Sequence, residues 1–327
     1  MIDFQKEYKG ILLAFSIGIV AYFTGPMIPS FNSILMGLVL GMLVGNLVKI
    51  STEFQSGISF TSSKLLELSI LFLAFSINYT HIAALGWKSF TAIAIVVIAI
   101  LLLTIYLSKK LNCPGSTGLL IGFGTTICGS SAIAAVAPTI AKDKEDVGIS
   151  MAVINLFGSI GMIALPFFLK SMHLSVAQNG LLLGGTLHSV GNVAGAGYSM
   201  GSEIGEAAIT IKLARVALLS PAIIFFNYLI NKNNVSHWKE HFKLPWYLWS
   251  FVAITIFTSL VSIPKEIIDA METIGKFILT VAMAAIGLKV SFKVLWQSGQ
   301  KGVLFGLLIF AIQIALVGAF MLVIYIY

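Results

Sequence analysis

The chain has 327 residues, of which 58% are hydrophobic and only 10% are charged, and its mean hydropathy is +0.98. Soluble domains contain about 45–50% apolar and about 25% charged residues, so this composition excludes a soluble globular protein. It also excludes a disordered chain, a coiled coil and a secreted scaffold held by disulfides. The formal net charge of +7 is distributed between apolar runs without forming a basic patch, which argues against a nucleic-acid partner.

Apolar runs long enough to cross about 30 Å of hydrocarbon as helices follow one another along the whole chain. They are bounded by Gly, Pro, Asn and Lys, and no soluble module is left between them. We therefore predict an all-α polytopic membrane protein with about eleven transmembrane helices, in which residues 1–327 form a single transmembrane domain. The predicted spans are residues 10–24, 31–48, 64–79, 87–108, 115–141, 147–169, 177–200, 206–230, 246–263, 271–290 and 301–326.

The lysines predict the orientation of these spans, because cytoplasmic connections are enriched in Lys and Arg. Most lysines fall in connections on the same side of the membrane as the N-terminus, among them Lys109 and Lys110. We therefore expect the N-terminus in the cytoplasm and the C-terminus outside.

Two predicted spans contain polar residues in their middle and are interpreted as broken helices. The first, GFGTTICGSSAIAAVAPTI, contains glycines, a Pro and hydroxyl residues; the second is GGTLHSVGNVAGAGYSMG. Irregular backbone at membrane depth must be satisfied by protein or water, and the start of a new half-helix attracts anions. Small residues of this kind can also serve only to pack helices closely. The candidate binding residues of the first break are Thr125, Thr126, Cys128, Gly129, Ser130 and Ser131, with the two serines as caps and donors.

Two short apolar segments, LSILFLAFSI and FILTVAMAAIG, resemble counterparts in two halves of the chain. They are the third and tenth predicted spans, and this odd separation gives them opposite orientations. The pattern favours an inverted repeat, with core and scaffold subdomains.

Lys212 and Arg215 are the two cations that the predicted spans place inside a helix, and Arg215 is the only arginine. They are three positions apart and therefore share a helix face. A charge at membrane depth costs about 2.5–3.5 kcal/mol, so the pair is expected to be hydrated, paired or bound to an anion. The alternative is that both side chains extend to the interface.

His188 and Asn192 are one turn apart in the second broken span. His188 is a candidate for proton coupling, because the pKa of free histidine is near 6.5, although a lone intramembrane His is as often a hydrogen-bonded core residue. The aspartates all fall in a tail or in predicted connections. Glu67 is the one carboxylate that could lie inside a span, and it is interpreted as an interfacial partner of Lys64. The lack of a buried aspartate pair disfavours a cation antiporter and favours an anion carrier. No metal, nucleophile or diphosphate motif indicates an enzyme or a cofactor.

The strings GFGTTICGSSAIAAVAP, GTLHSVGNVAGAGYS and IKLARVALLSP together resemble the sulfate exporter family of bacterial inner-membrane proteins. AMAAIGLKVSFKVL also fits, so the resemblance covers roughly residues 30–325. That family is similar to the cation:proton antiporters and the bile acid:sodium symporter-like carriers. The resemblance implies inverted repeats, crossed broken helices in a mobile core, a scaffold that often dimerises, and a location in the bacterial inner (plasma) membrane. The matching positions are Cys128, Gly129, Ser130, Ser131, His188, Asn192, Lys212 and Arg215.

One position departs from the family pattern, in which the His of the second broken span is often followed by an acidic residue. Ser189 follows His188 in this chain, which puts coupling through such a carboxylate in doubt. The sequence thus predicts a secondary transporter that exports a small anion, with sulfate or sulfite the leading candidates and H⁺ or Na⁺ as coupling ion. The alternatives are sodium-coupled uptake of an organic anion, and an anion channel or sensor without coupled transport.

Overall fold

A computed structural model describes residues 4–28, 32–77, 79–114, 116–230, 245–290 and 300–326. Within these ranges the regular structure is helical and contains no strand. A short π-helical segment, Thr61–Leu65, joins α3 to α4, and Gly86 interrupts α5 with a φ of 70°. The helices are α1 Phe4–Thr24, α2 Ser33–Leu47, α3 Thr52–Phe60, α4 Leu66–Leu73, α5 Tyr79–Lys110, α6 Thr117–Thr126, α7 Ser130–Ile140, α8 Lys144–Lys170, α9 Val176–Thr186, α10 Val190–Met200, α11 Ser202–Ala217, α12 Leu219–Ile230, α13 Trp246–Leu260, α14 Lys265–Lys289 and α15 Gln300–Ile326.

The prediction of an all-α polytopic membrane protein is confirmed, and each predicted span coincides with a helix or a consecutive pair of helices. By length and apolar composition, six helical stretches of the described ranges could cross a membrane. A seventh is obtained if α11 and α12, bent by 45° at their junction, count as one span. The fifth and seventh predicted spans are each divided into two short helices, as expected. The inverted repeat and the single domain stay predictions.

The chain divides into two compact units, in line with the expected division into subdomains. Unit 1 consists of residues 1–82, 198–206 and 246–292, and unit 2 of residues 83–197, 207–245 and 293–327.

Unit 1 is held together by glycines that let helix backbones touch. A Cβ at Gly41 of α2 would lie 2.2 Å from the carbonyl oxygen of Ala284 in α14, and Gly37 and Gly45 approach α14 in the same way. Helices that approach this closely gain van der Waals contact along their backbones, as small residues at every fourth position permit in membranes. Lys64 and Glu67 pair at 3.0 Å, as predicted, and the indole of Trp246 also donates to Glu67 at 2.7 Å. The interpretation of Glu67 as the one carboxylate inside a span is wrong, since α14 includes Glu272.

Unit 2 contains a buried carboxylate that fixes the start of α6. Asp146, in the first turn of α8, accepts hydrogen bonds from the backbone N–H and the hydroxyl of Ser116, both at 2.7 Å, and from Thr117 at 2.8 Å. The prediction that every aspartate lies in a tail or a connection is therefore wrong, because α8 includes Asp146 and α14 includes Asp269. In the same unit, glycines bring α9 against α11, where a Cβ at Gly184 would lie 2.5 Å from the carbonyl oxygen of Ala208.

Candidate functional site

Two interruptions of helical backbone lie in unit 2, and we call them break 1 and break 2. Break 1, residues 127–129, separates α6 from α7, and break 2, residues 187–189, separates α9 from α10. Gly129 has a φ of +75°, a value that favours glycine because it carries no Cβ. Both breaks occur where the sequence predicted them. At each one, the last carbonyl groups of the preceding helix need a donor.

The ammonium group of Lys212 supplies donors to both breaks. Its Nζ lies 2.7 Å from the carbonyl oxygen of Ile127 in break 1, and 2.8 and 2.5 Å from those of Leu187 and His188 in break 2. These contacts use the three N–H donors that a lysine carries. The side chain is fully buried, so the alternative in which Lys212 extends to the interface is excluded.

Arg215 makes the same link one turn further along α11. Its Nε donates to the carbonyl oxygen of Thr126 at 2.5 Å, and its Nη2 donates to that of Thr125. Its Nη1 contacts three carbonyl oxygens near the end of α9, those of Gly184, Gly185 and Leu187, at 3.3, 2.9 and 3.1 Å. Arg215 is 1% exposed, so it too is a core residue.

We call the place where Lys212 and Arg215 bind break 1 and break 2 the junction. Its two cations have no carboxylate within the described ranges to balance them. Each helix C-terminus is equivalent to about −0.5 elementary charge and each N-terminus to about +0.5, so the end of one helix and the start of the next offset each other at each break. Among the described residues no carboxylate pairs with Lys212 or Arg215, and the hydrogen bonds that these two side chains donate go to backbone carbonyl oxygens. The helix ends therefore do not balance the charge of the two side chains, and an anion is a species that would.

The hydroxyl groups around break 1 have roles other than the expected ones. Gly129, and not a serine, is the N-cap of α7, and no side chain caps this helix. Ser130 donates to the Oδ1 of Asn155 at 2.8 Å, and the Ser131 hydroxyl contacts the carbonyl oxygen of Cys128 at 3.2 Å and its Sγ at 3.0 Å. The expectation that Ser130 and Ser131 cap α7 is therefore wrong, because the left-handed Gly129 turns the chain at that point. The two cysteines, Cys113 and Cys128, are free thiols.

The two threonines at the end of α6 differ in their partners. The Thr126 hydroxyl donates back to the carbonyl oxygen of Gly122 at 2.6 Å, whereas the buried Thr125 hydroxyl has no hydrogen-bond partner among the described residues. Thr125 is thus the hydroxyl at this junction that is available to a bound molecule.

His188 lies in break 2, while Asn192 belongs to the first turns of α10. They therefore do not follow each other on one helix. Both side chains nevertheless lie close to Gly158 of α8, where a Cβ would be 2.1 Å from the Nδ2 of Asn192 and 3.5 Å from the Cβ of His188. The His188 ring packs on Phe310, with centroids 4.7 Å apart. Its Nδ1 is buried and has no hydrogen-bond partner among the described residues. The structure thus places an unused imidazole nitrogen beside the charged junction.

One residue of the junction was not identified from the sequence. Gln313, in α15, is 1% exposed, and its Nε2 donates to the carbonyl oxygen of Gly185 at 2.7 Å, the same oxygen that Arg215 contacts. The signal was available, because Gln313 is a lone amide in the apolar run LLIFAIQIALVG.

Comparison with known proteins identifies the family. Residues 9–306 match the family described as Conserved hypothetical protein 698. A UPF0324 membrane protein of Bacteroides thetaiotaomicron is 30% identical over 97% of both chains. The UPF0324 membrane protein YdhF of Lactococcus lactis is also 30% identical, over 94% of this chain and 96% of the relative. These names assign no substrate, so sulfate export stays a prediction.

Among solved structures, the sodium proton antiporter MjNhaP1 of Methanocaldococcus jannaschii aligns with 94% of this chain and all of its own, at 14% identity and a TM-score of 0.31. A likeness of this degree supports no conclusion about the ions that this chain handles. The extent of the sequence match does establish membership: the chain belongs to the Conserved hypothetical protein 698 family, it is similar to UPF0324 membrane proteins, and it is itself a multi-pass membrane protein.

Proposed function

We propose that this protein is a secondary active transporter that exports a small anion by alternating access, with sulfate or sulfite as the leading substrates. The single observation that carries the proposal is the buried pair Lys212 and Arg215, which has no carboxylate partner among the described residues and joins both helix breaks. Broken helices are where secondary transporters bind their substrates. Uncompensated positive charge selects the sign of the ligand.

An oxyanion needs donors as well as charge, because each of its oxygens accepts hydrogen bonds. Both cations already donate their hydrogen bonds to carbonyl oxygens. An anion would therefore bind beside them and be held by their positive charge. The donors that remain are the Thr125 hydroxyl and, when protonated, the His188 Nδ1. Thr126, Ser130, Ser131 and Asn192 complete the proposed binding residues, with Cys128 and Gly129 as the backbone of break 1. The Thr126, Ser130 and Ser131 hydroxyls would exchange their present partners, Gly122, Asn155 and Cys128, for the anion. His188 would gain a proton as the anion binds, which makes it the candidate for H⁺ coupling.

The test uses purified protein in liposomes and radiolabelled sulfate, sulfite and small carboxylates. We expect Arg215→Gln to reduce saturable uptake and counterflow at least about tenfold, since a loss of 1.4 kcal/mol in binding already has that effect. Lys109→Gln is the matched control, because it removes an exposed cation of the same unit from the end of α5. If Arg215→Gln transports every tested anion like the parent, the cationic site is refuted. Uptake without counterflow in the parent would instead indicate a channel.

The location and orientation complete the proposal. We propose the bacterial inner membrane, with the N-terminus in the cytoplasm and the C-terminus outside, supported by the distribution of lysines between the spans. Alkaline phosphatase fused after Tyr327 should then be active, and a fluorescent protein fused there should be dark. The reverse result would invert the topology.

A further inference from the structure

The two ends of the first broken helix lie side by side. The Ser116 hydroxyl, at the start of α6, accepts a hydrogen bond at 3.0 Å from the backbone N–H of Lys142, just after the end of α7. Helices of 10 and 11 residues that continued in one direction would separate these two residues by about 30 Å. The chain therefore enters the membrane as α6, turns at break 1 and returns as α7, and we call this element hairpin 1.

Hairpin 1 extends along only half of α8. At its open end, Ser116 and Thr117 bind Asp146 in the first turn of α8. At its tip, Ser130 donates to Asn155, which lies near the middle of α8. Because α8 is long and apolar enough to cross a membrane, break 1 is placed near the midplane.

The second broken helix also returns to the face from which it starts. α9 runs in the same direction as α11: a Cβ at Gly180 would lie 2.6 Å from the Cβ of Ala207, and further along both helices Leu187 accepts a hydrogen bond from Lys212. These two helices therefore start on the same face. Since α11 begins two residues after α10 ends, α10 also ends on that face. We call α9, break 2 and α10 hairpin 2.

The two hairpins enter from opposite faces and meet at their tips. Hairpin 1 starts beside the first turn of α8, whereas hairpin 2 starts at Val176, shortly after α8 ends at Lys170. At the midplane, a Cβ at Gly129 would lie 3.5 Å from the carbonyl oxygen of His188. This arrangement differs from the crossed broken helices that the family resemblance implies, and the junction lies where the two tips meet.

The direction of α15 gives independent support for hairpin 2. A Cβ at Gly306 would lie 2.5 Å from the Cγ1 of Val153, and a Cβ at Gly161 would lie 2.8 Å from the ring of Phe310. Residue numbers thus increase in the same direction along α8 and α15, and the two helices are parallel. A crossing by α9 and α10 would make them antiparallel, whereas a hairpin makes them parallel, as observed.

The lysines agree with this topology. With the N-terminus in the cytoplasm, hairpin 1 enters from the cytoplasmic face and hairpin 2 from the outer face. Compared with the crossings predicted from the apolar runs, Lys142 and Lys144 move to the cytoplasm and only Lys170 moves outside, which strengthens the enrichment of cations in cytoplasmic connections. The C-terminus stays outside, because two crossings are removed.

One face of α7 is exposed as far as the tip of hairpin 1. Ser131, Ala134 and Pro138 are exposed and share this face by their spacing, whereas residues 190–198 of α10 are buried. Ser131 follows break 1 directly, at the midplane. Irregular backbone at this depth is tolerated only where it is buried in protein or lines a cavity that contains water. The exposed hydroxyl therefore indicates water on the cytoplasmic side of the junction.

We propose that α6–α7 and α9–α10 are re-entrant hairpins that enter the membrane from opposite faces, and that the exposed face of α7 lines an aqueous path from the cytoplasm to the junction. Hairpin 2, which is buried along α10, closes the junction toward the outside in this structure. The hairpins and the path follow from the contacts above. Their use by an anion rests on the transporter function proposed above.

The first test determines the face on which each connection lies. Single cysteines are placed in the Cys113→Ser background, where the remaining Cys128 is buried, and are treated with a membrane-impermeant maleimide in spheroplasts and in inside-out vesicles. Lys144→Cys should react only in inside-out vesicles, as the cytoplasmic reference Lys109→Cys does. Ser171→Cys should react only in spheroplasts, as the outer reference Ser262→Cys does. All four positions are exposed. The reverse result at Lys144→Cys or Ser171→Cys would overturn the hairpins.

Hairpin 2 has its own position in this test. Glu203 is exposed at the start of α11, directly after hairpin 2. Glu203→Cys should react in spheroplasts, on the same face as Ser171→Cys. A reaction only in inside-out vesicles would show that α9 and α10 cross the membrane, and would overturn the proposal for hairpin 2.

The second test examines the aqueous path. Ser131→Cys should react with the same reagent in inside-out vesicles and not in spheroplasts, because maleimides react with the thiolate, which forms in water. Ile98→Cys is the matched control: Ile98 is 49% exposed on the apolar surface of α5, where lipid excludes the reagent, and this variant should not react. The path would be overturned by a Ser131→Cys thiol that reacts only after denaturation, or only in spheroplasts.

The same variant separates the path from its use. Under the proposed transporter function, sulfate or another transported anion should slow the labelling of Ser131→Cys in inside-out vesicles. Labelling of every position as expected, with no effect of sulfate, sulfite or small carboxylates on its rate, would contradict the anion function and leave the hairpins and the path intact.

Discussion

Lys212 and Arg215 both donate to the carbonyl oxygen of Leu187, at 2.8 and 3.1 Å. That oxygen follows the end of α9, and the same two side chains also reach Ile127 and Thr126 at the end of α6. Two cations one turn apart repel each other, and the carbonyl groups of two helix ends are what makes this arrangement stable. The junction therefore has a structural role beside the binding role that we propose for it, and each role can be tested separately.

Replacing Lys212 with Met should lower the melting temperature of the protein. The change leaves the carbonyl groups of Ile127 and His188 without their donor, and a buried unsatisfied polar group costs about 1–3 kcal/mol. Leu187 retains Arg215, which limits the loss. Thermal unfolding in detergent, followed by tryptophan fluorescence, measures the shift. Lys109→Met, at an exposed site, is the control, and equal melting temperatures for both variants would show that the junction does not stabilise the fold.

Gly41→Ala should destabilise the packing of α2 on α14. The added Cβ would lie 2.2 Å from the carbonyl oxygen of Ala284, so the helices must separate, and overpacking of this kind costs about 1–3 kcal/mol. Gly148→Ala is the matched control, because no atom lies within 4 Å of its Cβ position and alanine is the better helix former. The control should melt at or above the temperature of the parent. If Gly41→Ala melted at the same temperature as Gly148→Ala, the close approach of α2 and α14 would be contradicted.

Asp146→Asn should weaken the attachment of α6 to α8. The carboxylate accepts two hydrogen bonds from Ser116 and one from Thr117, and hydrogen bonds to a charged group contribute about 1.5–3 kcal/mol. Asp143→Asn provides the comparison: Asp143 only caps α8 by accepting from the Asp146 N–H at 2.9 Å, a role that asparagine fills equally well. Limited proteolysis of the connection before α6 should accelerate in Asp146→Asn and not in Asp143→Asn.

The two cysteines should differ sharply in reactivity toward a maleimide. Cys128 is 4% exposed, whereas Cys113 lies in the connection between α5 and α6 and is partly exposed. Burial raises the pKa of Cys113, and the charge of Lys301 opposes this rise. The reactive thiolate is therefore scarce at pH 7, and the labelling rate should rise with pH and keep rising beyond about 8.5, the usual thiol pKa. Mass spectrometry measures the labelling, which Cys113→Ser should remove; residual label would place Cys128 in contact with solvent.

Much of the fold was predictable because the membrane imposes long apolar helices, and even the two breaks are visible as polar residues within apolar runs. The shared face of Lys212 and Arg215 follows from their spacing and is confirmed by the carbonyl oxygen that they share. Their partners were not predictable, since backbone carbonyls carry no sequence signal. The partner of Ser130 was missed because Asn155 is distant in sequence.

A single ammonium group that binds both breaks makes them one cooperative element. Gly129→Ala strains break 1, and Ser189→Ala removes the hydroxyl that accepts from the Asn192 N–H at the start of α10. These positions are far apart in the sequence, yet either change displaces carbonyl oxygens that Lys212 holds. Their effects on stability should therefore be non-additive, with a coupling of about 0.5–3 kcal/mol, and a substitution on one broken helix would be felt on the other.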